Sequence, residues 1–213
     1  MTPDDRPAHP ASPSVSTTGD SPAGPGAALP RHVLERVRAH DPQALGEFYD
    51  RYVDRVFGLA LRLLGERAVA EDITSEVFLK VHRAAAQLDA SRDPAPWLAA
   101  ITTNACRDLW RSGAHRMNRR SDSLEDAPGL AERLTRGQDE PEREALARER
   151  EGLVRQAIEA LPENLRVAVV LHDYEGLDHL EVAKITGIEH AAARKRYSRA
   201  LEALGRSLKE TLG

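Results

Sequence analysis

The chain has 213 residues, 41% of them apolar, 30% charged and only 4% aromatic, with 13 prolines and one cysteine. This supplies a modest core for one large or two small domains, helical in character, and excludes a disulfide scaffold or a cysteine zinc site. No apolar run approaches the roughly 18–20 residues of a membrane span, and the N-terminus lacks an apolar leader, so a soluble cytoplasmic protein is expected.

The formal net charge of −4 conceals a division. Residues 31–120 carry 15 Lys/Arg against 12 Asp/Glu, residues 121–144 carry 3 against 8, and residues 145–213 balance at 11 against 11. An acidic strip therefore separates two segments, and local basic clusters leave nucleic acid open as a partner.

Residues 1–30 hold 7 of the 13 prolines and almost no large apolar side chain. They cannot offset the entropy of ordering and are expected to be a disordered extension, either a dispensable tail or a regulatory arm. Asp41-Pro42 then opens a helix with an N-cap and a first-turn proline, striped by Leu45, Phe48, Tyr49, Tyr52, Val56, Ala60 and Leu64 and stopped at Gly65. The spacing predicts a second helix over about 68–87, with Ile73, Val77, Phe78 and Val81 apolar, and a third opened by Pro94 and Pro96 that includes Trp97, Ile101, Ala105 and Leu109. Seven of the nine aromatics fall in this block, which marks it as the first domain.

Periodicity lapses over 117–143, read as a flexible acidic linker, and resumes at about Pro141. Pro162 restarts a helix striped by Leu165, Val169, Val170 and Tyr174 and ended by Gly176. Asp178-His179-Leu180-Glu181 is a capping box, its short helix stops at Gly187, and a last helix follows from about Glu189. Two helices joined by a short turn containing glycine form a helix-turn-helix pattern. The expectation is all-α: an extension over 1–30, a helical domain over 31–116, the acidic linker over 117–143, and a second helical domain over 144–213.

Catalysis has little support, since no GxSxG, HExxH or phosphate-cradling glycine loop is present. His172, His179 and His190 are spaced 7 and 11 apart, which does not align them on one helix face, so neither a metal nor a cofactor is expected. The last helix carries the sharper signal. Arg194, Lys195, Arg196 and Arg199 follow the slim Ala191-Ala192-Ala193 lead, a shape suited to a major groove, with Val182, Ile185, Ile188, Tyr197 and Leu201 as the core side. In the third helix, Trp97, Ile101, Asn104, Asp108 and Arg111 share one face, near Arg107, Arg116, Arg119 and Arg120. An amide and aromatics beside cations suit unpaired bases, although Trp97 and Trp110 at that spacing more often serve a core and Asp108 can pair with Arg111.

Five segments of 32–211, in order and in spacing, resemble the extracytoplasmic-function group of the sigma-70 superfamily, promoter-specificity subunits of bacterial RNA polymerase. Ala44 through Tyr52 is similar to its region 2.1, and Ala70-Glu71-Asp72-Ile73-Thr74-Ser75-Glu76-Val77-Phe78-Leu79-Lys80-Val81 to its region 2.2. Pro96-Trp97-Leu98 through Asn104, then Asp108 and Arg111, resembles regions 2.3 and 2.4. Leu161-Pro162 with Arg166 resembles the start of region 4, and Gly187 through Ala200 its recognition helix. Ser75 replaces a usual glutamine, Ala191-Ala192-Ala193 a usual Gly-Thr-Val, and Glu189 a usual serine cap.

The resemblance implies a non-catalytic subunit that docks on core polymerase, at clamp and flap, through Glu71, Asp72, Ser75, Glu76 and Phe78. It implies −10 capture and opening by Asn104, Arg107, Arg111 and Arg116, and −35 reading by His190, Arg194, Lys195, Arg196, Ser198 and Arg199. It places the acidic linker in a basic channel of the polymerase and leaves room for an anti-sigma factor, with no membrane insertion. The alternative is a freestanding helix-turn-helix regulator, which has no need of the Trp97-to-Arg111 run.

Overall fold

The computed structural model describes residues 28–113 and 141–212, and among these all regular structure is helical. The first domain holds α1 (Arg31–Arg38), α2 (Pro42–Leu64), α3 (Arg67–Ala84, continued by a 3-10 turn over Ala85–Gln87) and α4 (Ala95–Ser112). The second holds α5 (Pro141–Glu159), α6 (Glu163–Val169, widening into a π turn over Val170–Tyr174), α7 (His179–Thr186) and α8 (His190–Leu212). The expectations for 1–27, for the acidic segment through 140, and for Arg116, Arg119 and Arg120 lie outside the described residues.

Local chemistry sets the helix ends. The Asp41 carboxylate accepts the Ala44 N–H at 2.9 Å, and that bond, with Arg36 beside it, holds the carboxyl below its usual range. Gly65 ends α2 at φ 76°, where a Cβ would also stand 3.3 Å from Glu159 of the second domain. The capping box at α7 is complete: Asp178 accepts from the Leu180 and Glu181 amides, both at 2.8 Å, and Glu181 accepts the Asp178 amide at 2.9 Å. Helix α1 has no such marker in the sequence. It is eight residues long, without a side-chain cap, and is held by burying Val33, Leu34 and Val37 beside α2.

In the first domain α2 is the central helix, burying Phe48, Tyr52, Val56, Leu59, Leu63 and Leu64 against α3, α4 and α1. Tyr49, expected in this stripe, is instead 46% exposed, its ring tilted on Phe78 at 4.7 Å. In the second domain Val167, Val169, Val170, Leu171, Val182, Ala193 and Ala200 are buried. Leu201, expected on the core side, is 45% exposed, because the seven-residue step from Ala193 to Ala200 fixes the inner stripe and turns residue 201 away.

The domains pack on one another. Helix α2 meets α5, α6 and the π turn, and α4 meets α7. Arg166, 2% exposed, sits at the junction. Its Nη1 donates to the Leu63 carbonyl at 2.6 Å, and its Nη2 donates to the Leu161 carbonyl at 3.1 Å and to the Glu159 carbonyl. One guanidinium thus serves carbonyls at the C-terminal ends of α2 and α5, one helix from each domain.

Candidate nucleic-acid interface

The second domain presents α7 and α8 joined through Gly187 at φ 68°, a left-handed turn that glycine adopts without strain. Burial of Ala193 and Ala200 orients α8, so that His190, Arg194, Lys195, Ser198 and Arg199 are exposed in one row. Arg196 departs from this row. It is half-buried and lines a cleft facing the first domain.

Behind the exposed row of α8 is a ring cluster that spacing on one helix could not reveal. The His172 ring stacks on His179 with centroids 4.4 Å apart, and Tyr197 of α8 lies 4.4 and 5.1 Å from the two. The His172 Nδ1 donates to the Leu177 carbonyl at 2.7 Å, and the Tyr197 hydroxyl donates to Asp173 at 2.8 Å. Among the described residues no group of three or more His, Cys, Asp or Glu is placed to hold a metal ion. Desolvation first, then the charges of His172, His190 and Arg194, lowers the His179 pKa from its ordinary 6.5. The unfolded chain therefore takes up this proton before the folded one does. The associated stability is full above pH 6.5 and is lost as pH falls through the lowered value. The thermal midpoint is expected to fall on acidification just below pH 6.5, and His179→Gln to flatten that step; an unchanged step would remove His179 as its source.

On α4, Thr102, Thr103, Ala105 and Cys106 point inward, and Asn104, Asp108 and Arg111 are exposed. Asn104 is therefore not a packing residue of the bundle. Asp108 and Arg111 pair at 3.4 Å across an exposed i,i+3 step, which is worth little in water. Arg107 is half-buried, and its Nη1 donates to the Thr186 carbonyl at 3.2 Å. Trp110 is only 9% exposed and Trp97 is half-buried, so both are packing residues and not open stacking platforms. Cys106 is fully buried, which pushes its thiol up to about 12 and leaves it inert.

A third surface lies on α3, where Glu71, Asp72, Ser75 and Glu76 are exposed and Phe78 is half-buried. Arg67 pairs with Glu71 at 3.0 Å and Lys80 with Glu76 at 2.7 Å. The Ser75 hydroxyl donates to the Glu71 carbonyl at 3.1 Å, so this short side chain is turned onto its own helix. Tyr49 and Leu79, the latter 60% exposed, extend the surface with apolar area that sequence reading assigned to the core or passed over. The signal available was their register, Tyr49 one step past the buried Phe48 and Leu79 two past the buried Val77.

Residues 48–116 match Sigma-70 region 2, and residues 151–204 match Sigma-70, region 4. The chain is 28% identical over 183 residues to the RNA polymerase sigma-H factor of Pseudomonas aeruginosa, covering 85% of this chain and 95% of that one. It is 29% identical over 171 residues to the ECF RNA polymerase sigma-E factor of Haemophilus influenzae, covering 80% and 90% respectively. Its fold is similar to that of the sigma factor RpoE in complex with the anti-sigma factor NepR from Bartonella quintana. That similarity has a TM-score of 0.58 at 19% identity, over 77% of this chain and 96% of that chain.

Proposed function

The chain belongs to the extracytoplasmic-function group of the sigma-70 family and is an RNA polymerase sigma factor, and we propose which of its surfaces performs each step. The α3 face formed by Glu71, Asp72, Ser75, Glu76 and Phe78, enlarged by Tyr49 and Leu79, docks on core polymerase. Asn104, Arg107 and Arg111 of α4 capture and open the −10 element, with Arg116 continuing the cationic run. His190, Arg194, Lys195, Ser198 and Arg199 of α8 read the −35 element. The observation that carries this reading is the exposure of Asn104 between buried neighbours on α4, together with the exposed polar row on α8.

Each contact is weak by itself, and the two gain by being tethered on one polymerase surface. In this reading the chain is a subunit and not a catalyst, and it works in the cytoplasm beside polymerase. Among the described residues no helix is long and apolar enough to cross a membrane. An anti-sigma factor is proposed as a further partner, on the likeness to a sigma factor solved with one. A freestanding regulator is not favoured, because it leaves the exposed Asn104 surface without a task.

Reconstitution with core polymerase followed by mapping of transcript starts tests the assignment. Promoter-specific initiation that depends on the chain is expected, and tight sequence-specific binding by the free chain at physiological salt would count against it. Within α8, Arg199→Ala is expected to cost about 1–3 kcal/mol at one or two −35 positions if the guanidinium meets a base edge. Equal weakening on every −35 variant would make Arg199 a phosphate contact instead.

A further inference from the structure

We propose that His179, with His190 and Arg194, forms a proton-gated seat for a DNA backbone phosphate at the edge of the α8 row, so that −35 binding takes up a proton. The inference rests on the assignment of α8 to the −35 element. His190, Arg194 and Tyr197 follow at i, i+4 and i+7, one line along α8. The first two are exposed and belong to the row, whereas Tyr197 is half-buried against the rings of His172 and His179. The ring cluster therefore borders the row directly, and His179, at the first position of α7, is only partly buried there. The carboxylates around it are committed elsewhere. Asp173 accepts the Tyr197 hydroxyl at 2.8 Å, and Glu175 of the same turn pairs with Arg55 at 2.7 Å. Asp178 accepts the Leu180 and Glu181 amides, both at 2.8 Å, and Glu181 accepts the Asp178 amide. Among the described residues no carboxylate forms an ion pair with His179, His190 or Arg194, although Glu189 is exposed beside His190. Lys184 adds a further cation on α7, and Arg107 of α4 reaches only the Thr186 carbonyl at that helix's far end. Side chains that carry or can acquire positive charge, short of carboxylate partners, suit an anion, and the anion that a DNA-facing row meets is phosphate.

The imidazole stack supplies the gate. His172 and His179 lie nearly parallel, with 23° between their planes and centroids 4.4 Å apart, so two positive charges there repel. The Leu177 carbonyl holds His172 Nδ1 at 2.7 Å and so fixes the ring on which His179 stacks. In the free chain, burial and then the charges of His172, His190 and Arg194 keep the His179 pKa below its ordinary 6.5, with Asp178 acting the other way. A phosphate seated beside His190 and Arg194 offsets those charges and raises that pKa. The bound state then holds the proton more tightly than the free one. By linkage, −35 affinity is flat above the bound-state value, climbs as pH falls between the two values, and levels off below the free-state value. This proton-linked gain adds to the sequence reading by the rest of the row, since a backbone phosphate is present at every sequence.

The test measures the affinity of reconstituted holoenzyme for a duplex carrying the −35 element, at fixed salt, from about pH 7.5 to about pH 6. Over that interval wild type is expected to gain about threefold to tenfold relative to His179→Gln, whose amide takes up no proton. Taking the ratio cancels the pH dependence of polymerase itself. The wild-type salt slope should also steepen by up to about one on acidification and stay constant in the variant. A second reading needs no substitution. In the full-length free chain, saturating −35 duplex at low salt should raise the pH midpoint of the His179 Cε1–H resonance. Parallel pH profiles for wild type and His179→Gln, or a His179 midpoint that DNA leaves in place, overturn the phosphate seat. Either result with −35 discrimination intact leaves the promoter assignment standing, whereas loss of discrimination by wild type at every pH overturns that assignment and the seat with it.

Discussion

Arg166→Ala is expected to destabilise the chain by about 2–5 kcal/mol, the range for truncating a large buried side chain and stranding its hydrogen-bond acceptors. The guanidinium is 2% exposed and donates to carbonyls at the ends of two helices, Leu63 of α2 and Leu161 and Glu159 of the α5 end. Alanine leaves those acceptors facing a cavity, and a buried acceptor without a partner costs about 1–3 kcal/mol. Arg166→Lys should recover less than half of the loss, because one ammonium cannot span carbonyls that a planar fork reaches from two nitrogens. Urea unfolding provides a domain-resolved measurement, since both tryptophans, Trp97 and Trp110, lie in the first domain. Tryptophan fluorescence then follows that domain, while far-ultraviolet dichroism follows both. In Arg166→Ala the dichroism transition is expected to come first, with the second domain melting before α2 and its neighbours. A midpoint equal to wild type, or full rescue by lysine, would show that the carbonyl contacts contribute little.

What the sequence made legible was local. Asp41, Gly65, Asp178 with Glu181, and Gly187 each act on the backbone within a few residues of themselves, so the ends of α2 and α7 could be read directly. Helix α1 could not, since among the described residues it is held by burial beside elements later in the chain. The site followed the same rule. The exposure of Asn104 and of the row His190, Arg194, Lys195, Ser198 and Arg199 follows from positions on the faces of single helices, which spacing alone can place. The separation of Arg196 from that row, the exposure of Tyr49, and the rings of His172, His179 and Tyr197 depend on which neighbour packs where. The Arg55–Glu175 pair joins residues 120 apart, and neither has a marked sequence context. A departure such as the π turn is equally silent, because its residues Val170–Tyr174 continue an ordinary apolar helix pattern.

Asn104→Ala is expected to separate promoter binding from promoter opening. Pulling a base from the duplex costs a few kcal/mol of unstacking, which a pocket must offset by hydrogen-bonding the base edge. An amide offers both a donor and an acceptor for that purpose, and alanine offers neither. Asn104 is exposed while Thr103 and Ala105 on either side are buried, so its truncation removes no core contact and should leave the stability within about 0.5 kcal/mol of wild type. Holoenzyme assembly and closed-complex affinity should likewise stay close to wild type, because the α3 surface is untouched and duplex affinity is dominated by phosphate contacts. Strand opening, read as permanganate-reactive thymines, should fall by about tenfold or more if the lost bond was worth the usual 1–3 kcal/mol of a base-edge contact. A template with a pre-melted bubble should recover much of the opening defect, since the unstacking cost has been met in advance, but not the contact with the flipped base. Equal loss of core binding and opening, without rescue by the bubble, would mean that Asn104 supports the fold after all and would return −10 capture to the arginines of α4.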